Sequence, residues 1–549
     1  MEYGGGEYGK TGDEGGEYGK PGGSGGGGTM LTRYDIHDLN AGLVPDYPLK
    51  NGWDDISLYY AKALQKMGYK QNPAPGANVE TMWTFSQKPT DYYFQAAMHW
   101  TPKYPGTPPP PQDRWWNHCT HEAGKTPAAE SFFLPWHRAY IYWFEVIIRS
   151  YVADLGGPDG WALPYWNYSY YDASDPNGPW PRAKLPDVFT KPKLPDGTGN
   201  PLYIPDRAKR GLQPGFFLRV TTPYYYQAYG SSDYIFFNQN LDFQPHGVVH
   251  GNVGVGEAPG SPTGWMQSTI PASFDPVFFL HHSEIDRFWV GWLTQPGRSN
   301  PTDPGWLNAT NDPEYNRRWN FWRDGNINNV INVYPEDMVD NEHLGPKFPY
   351  SYRYATMPQI PAPRPPGPQA RQTLEAAPAA EPAAQLASPL DLVNAQLAAS
   401  EGPVKLGPEP VTALVPLSEE AEPQLAALDA APEEPPLVVL HLDGISAKQP
   451  AGNYEVYMNY PDADKETAGE VPHYVGVLPS FGAEHGGHEG HEHGLSADYD
   501  ITEIVSHLRQ AGDWDPSKAS VTFVPVSPLD PEHLKAAEMT VGSMSIHSS

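Results

Sequence analysis

Three stretches of this chain place histidine inside helical, strongly aromatic sequence. PHGVVHG (Pro245–Gly251) sets His246 and His250 four residues apart, so on a helix both imidazoles leave one face about one turn apart. SFDPVFFLHHSEIDRFW opens on Asp275 and Pro276, which suit the N-cap and first position of a helix, and then carries His281, His282 and Asp286. FFLPWHRAYIYWFE (Phe132–Glu145) adds His137 to a run that is apolar almost all round, the mark of a buried helix. A buried imidazole needs a hydrogen bond or a metal. One alone is usually a satisfied core residue. Several, on separate helices of one aromatic segment, require a helical core built around them. No carboxylate cluster or cysteine pair accompanies them. An all-imidazole set suits copper, zinc or nickel better than iron, magnesium or calcium, and two groups of three would hold two ions.

The rest of the chain divides by composition. Residues 1–29, with their EYGK repetition in Gly-rich filler, are expected to be a low-complexity, disordered N-terminus. Residues 30–356 are aromatic-rich, with helical patterns between long Pro/Gly loops such as 102–112 and 172–206. That pattern predicts a mainly α core whose loops shape a pocket. Residues 357–436 turn to Pro, Ala, Glu and Leu and lose their aromatics, which predicts a linker. From Leu437, LVVLHLDGIS, NYEVYMNY, HYVGVLPS and ASVTFVPV are short β-branched and aromatic runs bounded by turn residues. They predict a small β-sandwich over 437–549, interrupted by one helix near 501–510.

Charge and cysteine content narrow the partners. With 65 acidic against 36 basic residues the formal charge is −29, which argues against nucleic-acid and anionic-membrane binding. No apolar stretch approaches a membrane span, and the first residues lack the apolar core of a signal peptide, so a soluble, cytoplasmic protein is the default expectation. The single cysteine, Cys119, excludes an intrachain disulfide.

FFLPWHRAYIYWFE resembles the first copper signature of the tyrosinase and polyphenol oxidase (type-3 copper) family. HGVVHG together with DPVFFLHHSEIDRFW resembles its second. The resemblance covers roughly residues 33–354. It implies a four-helix-bundle core holding two copper ions, which oxidises o-diphenols to o-quinones with O₂. Carried over position by position, His246, His250 and His282 would hold the second copper, with His281 beside them in a supporting role. Asp286 and Arg287 match the family's D-R pair and would orient the site. His137 matches the last ligand of the first copper, and His99 in YYFQAAMHW stands where a helix-borne first ligand is expected.

The middle ligand departs from the common spacing, which would put it at Ala128. Some members instead carry a Cys-x-His whose sulfur bonds the ligand imidazole. Cys119-Thr120-His121 fits that pattern, making His121 the ligand, Cys119 its covalent clamp and the segment after His121 an insertion. The other readings are His118 as ligand, Cys119 as a buried small hydrophobe and a lost site.

Members that hydroxylate monophenols hold an activating water with an Asn after the first ligand of the second copper and a nearby Glu. Here those places fall to Gly247 and, near the Glu position, Asp242. This favours a catechol oxidase, with a monophenol-hydroxylating tyrosinase or an o-aminophenol oxidase as alternatives. Thr269, in WMQSTIPASFDP, falls near the gate above the second copper. Haemocyanins share the dicopper centre, so an oxygen-binding protein is the alternative from another class. The YSYRY at 350–354 resembles the tyrosine motif that closes plant-type catalytic domains, and Arg33 the arginine that pairs with it. The C-terminal domain resembles the one that keeps plant-type enzymes latent, including a His-rich turn (His485, His488, His491, His493). That turn reads first as a solvated loop and only second as a copper collector. The partners implied are small phenols and O₂.

Overall fold

The computed structural model describes residues 29–69, 88–99, 132–172, 174, 181–204, 229, 233–254, 264–269, 271–307, 319–358, 393, 395–400, 402–418, 421, 423, 425, 437–467, 471–483, 495–526 and 531–548. The expectations for residues 1–28 and for His118, Cys119, His121, Ala128 and the His-rich turn lie outside them.

The N-terminal domain is a helical core. Its helices are α1 (Ile36–Asn40), α2 (Asp55–Lys66), α3 (Tyr92–Ala97), α4 (Phe133–Asp154), α5 (Tyr234–Leu241), α6 (Val248–Val253) and α7 (Val277–Leu293). Asp54 starts α2 by accepting from the Ser57 N–H at 2.7 Å, and Asp233 starts α5 by accepting from Phe236 N–H at 2.9 Å. The predicted start of α7 shifts by one residue: the helix begins at Val277, whose N–H donates to Asp275 Oδ1 at 3.0 Å, so Asp275 still caps it.

α4 and α7 pack against each other at the centre, and α2 packs on α4. Nearly every residue of α4 from Phe133 to Ile148 is buried, as its all-round apolar sequence requires. Phe144 and Phe279 stack face to face at 3.5 Å between centroids, joining α4 to α7.

Strand β1 (Thr29–Arg33) pairs in parallel with β4 (Tyr350–Tyr354), and β2 (Trp319–Phe321) pairs with β3 (Ile331–Val333). The β1–β4 pairing sets Arg33 opposite Tyr354, and a buried ionic network forms there. Arg33 donates to Glu145 at 2.9 Å and to Asp286 at 3.3 Å, and its guanidinium lies 3.7 Å over the Tyr352 ring. Asp286 also accepts from Arg138, from Tyr352 OH at 2.6 Å and from Tyr354 OH at 2.5 Å. Burial opposes its ionisation, but Arg138 and Arg33 more than offset that and hold its carboxyl below the usual range.

The C-terminal domain is a β-sandwich. One antiparallel sheet has the order β10-β9-β12-β7 and the other β11-β8-β14-β5. The strands are β5 (Ala395–Ala399), β7 (Val411–Leu414), β8 (Val438–Ile445), β9 (Asn453–Met458), β10 (Tyr474–Pro479), β11 (Leu495–Asp500), β12 (Ser520–Pro525) and β14 (Ser543–Ser548), with the short β6 (Val404–Lys405) and β13 (Thr540–Val541) paired beside them. Helix α8 (Thr502–Ala511) falls where the sequence predicts one.

The boundary at 436/437 is corrected. β5 pairs with β14 and β7 with β12, so residues 395–414 belong to the sandwich and not to the linker. Sequences such as AQLAA have weak strand preference of their own; the strands already present supply the ladder and the buried face.

Candidate metal centre

Four histidines are fixed by backbone carbonyls. His99 Nδ1 contacts Thr269 O at 3.0 Å, while His137 Nδ1 contacts Phe133 O, His246 Nδ1 contacts Asp242 O and His250 Nδ1 contacts Met266 O, each at 2.8 Å. A carbonyl only accepts, so in each ring Nδ1 carries the proton and Nε2 keeps the lone pair that a metal needs. The predicted i, i+4 pair is built across an irregular junction. His246 lies in a wide π-type turn, Asp242–Gly247, and His250 in α6, with ring centroids 4.5 Å apart.

The rings converge into two groups with one member in common. Ligand atoms of His246, His250, His281 and His282 lie within 4.8 Å of one another, as do those of His99, His137 and His282. His282 is 1% exposed, with neither ring nitrogen hydrogen-bonded. It stacks on His137 at 4.3 Å and against Phe278 at 4.1 Å. Its neighbour His281 reaches Tyr168 OH through Nδ1 at 3.1 Å and lies parallel to His246.

Burial, reinforced by neighbouring histidines, pushes the pKa of His250, His281 and His282 well below the ordinary value. All three rings are therefore neutral at pH 7, the form that binds metal. A buried imidazole without a hydrogen bond is costly unless an ion completes it, and borderline nitrogen donors in an aromatic shell suit copper.

The other sequence-predicted residues surround these groups. Asp242 Oδ1 is 3.0 Å from His246 Nδ1, so the carboxylate faces that imidazole. Gly247 is covered by the C-terminal domain: a Cβ added there would stand 3.0 Å from Cγ of Pro479. Thr269 is buried and meets His99 through its carbonyl, with its hydroxyl unbonded.

Two residues at the centre were missed by the sequence reading. Phe481, just after β10, stacks on His250 at 4.0 Å and meets His246 edge-on at 5.4 Å. It follows the apolar run HYVGVLPS directly, but nothing in its local pattern tells a site residue from a strand end. Tyr168 had no signal beyond its aromatic surroundings.

Known proteins bear on this geometry. Residues 89–214 and 216–295 match the common central domain of tyrosinase, and residues 394–549 match a domain of unknown function, DUF7868. The chain is 26% identical to Tyrosinase HcTyr1 of Hahella sp. (strain CCB-MM4) over 91% of its own length and 98% of that protein. It is 27% identical to the chloroplastic polyphenol oxidase of Vitis vinifera, over 42% of its length and 38% of that protein.

Two solved structures share its fold from end to end. Latent aurone synthase (polyphenol oxidase) from natural source superposes with a TM-score of 0.54 at 19% identity, covering 96% of this chain and 91% of the other. Latent apple tyrosinase gives a TM-score of 0.53 at 18% identity, with 96% and 98% covered. Among the described residues, no helix is long and apolar enough to cross a membrane. With its helical core, its histidine groups and its β-rich C-terminal domain, the chain belongs to the tyrosinase and polyphenol oxidase family of copper oxidoreductases.

Proposed function

We propose that this chain is a catechol oxidase held latent by its own C-terminal domain. The observation that carries the reading is Phe481 lying against His250 and His246, the two histidines expected to hold the second copper. In this reading His246, His250 and His282 hold one copper, and His99, His121 and His137 hold the other. The resemblance assigns His282 over His281, and His282 stands in both histidine groups whereas His281 stands in one. The copper pair, when bound, supplies the electron transfer from substrate to O₂.

The protein's own groups bind, orient and shield. Phe278, Phe133 and Trp136 surround the histidines and keep water out. An o-diphenol would take the place of Phe481, stacking its ring on His250 as the phenylalanine does. Asp242 steadies His246, which occupies the carboxylate with a ligand and leaves it ill placed to deprotonate an incoming phenol. Gly247 offers no side chain to hold an activating water. Weak monophenol hydroxylation follows, and catechols or o-aminophenols are the preferred class. Thr269, through its carbonyl, fixes His99, and its small side chain is buried beside Gly482.

Oxygen uptake with catechol, tyrosine and o-aminophenol, before and after limited proteolysis, tests this reading. Catechol turnover per bound copper that rises when the C-terminal domain is cut away supports it. Unchanged turnover refutes latency, prompt tyrosine hydroxylation refutes the Gly247 argument, and reversible O₂ binding without turnover favours an oxygen carrier. The covalent clamp is read from intact mass after denaturation: two hydrogens lower if Cys119 and His121 are joined, unchanged and alkylatable if not.

A further inference from the structure

The segment that carries His246 and His250 lies between the two domains. Asp242–Val253 contains only a π-type turn and the six-residue α6. Helix of that length is marginal without tertiary support, and Pro245, Gly247 and Gly251 weaken it further. Its residues sort by face. Val249 and Val253 pack into the helical core, whereas Val248 packs with Tyr457, Tyr474, Val477 and Val524 of the sandwich.

Three polar contacts on that outer face cross to the C-terminal domain. Gln244 Nε2 donates to Val477 O at 2.7 Å. Asn453 Nδ2 donates to Asn252 Oδ1 at 3.1 Å and to Val248 O at 3.4 Å. Gly251 permits the approach: a Cβ there would stand 2.8 Å from Asn453 Oδ1. Asn453, Asn252 and Gln244 are all buried, so these hydrogen bonds form away from water, where losing one partner strands the other.

We infer that the C-terminal domain, besides covering the centre, is a structural part of the second metal position, with Asn453 as a positioning residue that holds the turn bearing His250. The inference rests on the dicopper reading above. A domain that served only as a cover would need Phe481 and no grip on the ligand segment. This one holds the segment at residues 244, 248 and 252, around both histidines.

The test uses the full-length, copper-loaded chain and follows copper per chain during exposure to excess chelator. Asn453→Ala and Asn252→Ala each remove one partner of the same hydrogen bond, so either serves if the other fails to fold. Phe481→Ala loosens docking and uncovers the centre but removes neither partner of that bond. Both asparagine variants are expected to release one copper about ten- to a hundred-fold faster than the parent, the usual effect of losing a residue that orients a ligand, and the other at the parent rate. Phe481→Ala, which loosens the cover as a whole, should speed both releases. Parent kinetics in both asparagine variants, or equal acceleration of the two coppers, would overturn the inference.

Amide hydrogen exchange over 246–253 in the metal-free chain gives a second readout. It should quicken in Asn453→Ala and in Asn252→Ala although Phe481 still covers the centre; parent exchange in both asparagine variants overturns the scaffold. A parent chain that never holds two coppers defeats the dicopper reading, and the exchange result still decides whether the domain shapes the segment.

Discussion

Replacing Phe481 with Ala isolates the covering contact. The ring is 7% exposed, stacks on His250 with 21° between planes and a 4.0 Å separation, and meets His246 edge-on. Truncating a buried phenylalanine costs about 3–5 kcal/mol, of which roughly 0.5–1.5 kcal/mol belongs to the ring–ring geometry. Taking the lower end, because the ring lies at a domain boundary and not deep in a core, docking weakens by about 3 kcal/mol. At about 1.4 kcal/mol per decade, that moves the balance of closed and open forms toward open by roughly a hundred-fold. The shortened side chain also leaves a ring-sized space over His250 even when the domain stays docked.

Both effects act in one direction. Intact Phe481→Ala should oxidise catechol faster than the intact parent, and proteolysis should add little to it. The assay is initial oxygen uptake at matched copper content, intact and cleaved. Proteolysed parent and proteolysed variant should coincide, since the residue leaves with the domain. An intact variant as slow as the intact parent, at equal copper, would refute the claim that this ring blocks the site.

The remaining predictions concern the ligands, the buried network and the glycine under Pro479. His282→Ala should lower bound copper and abolish the near-ultraviolet absorption that appears on oxygenation, whereas His281→Ala should keep most of its copper; metal analysis separates them, and the opposite order would exchange their roles. Asp286→Asn leaves Arg33 and Arg138 buried without their shared carboxylate, a loss of about 3–5 kcal/mol read by denaturant unfolding at neutral pH. Because the folded pKa of Asp286 is depressed, its contribution is fully present above the ordinary carboxylate value of about 3.9 and is lost as pH falls through the folded value. The parent should therefore show an acid-dependent loss of stability in that window that Asp286→Asn lacks. Gly247→Ala brings a methyl 3.0 Å from Pro479, which should loosen docking and raise catechol turnover of the intact chain; unchanged latency would mean that Pro479 yields without cost.

Which residues could serve the centre was legible from local sequence, because ligands on helices repeat with the helix. His246 and His250, His281 and His282, and His137 in an all-apolar run could be named from spacing and resemblance. Arg33 and YSYRY could be matched in advance, and the parallel β1–β4 pairing then sets Arg33 against Tyr354. What local pattern does not encode is which distant segment completes a surface. AQLAA and VTAL look like linker until strands more than a hundred residues later pair with them. Tyr168 meets His281 only because α7 lies beneath it.

Phe481 shows the same limit at the site itself. Its hydrophobicity fitted a strand end equally well, and only the docking of the sandwich against α6 carries it to His250. The sequence by itself determined the chemistry this chain can hold, since ligand type and helical spacing are local properties. The tertiary structure decided how that chemistry is covered and supported, because hydrogen-bonding and packing partners far apart in sequence meet only when the two domains close on the segment between them.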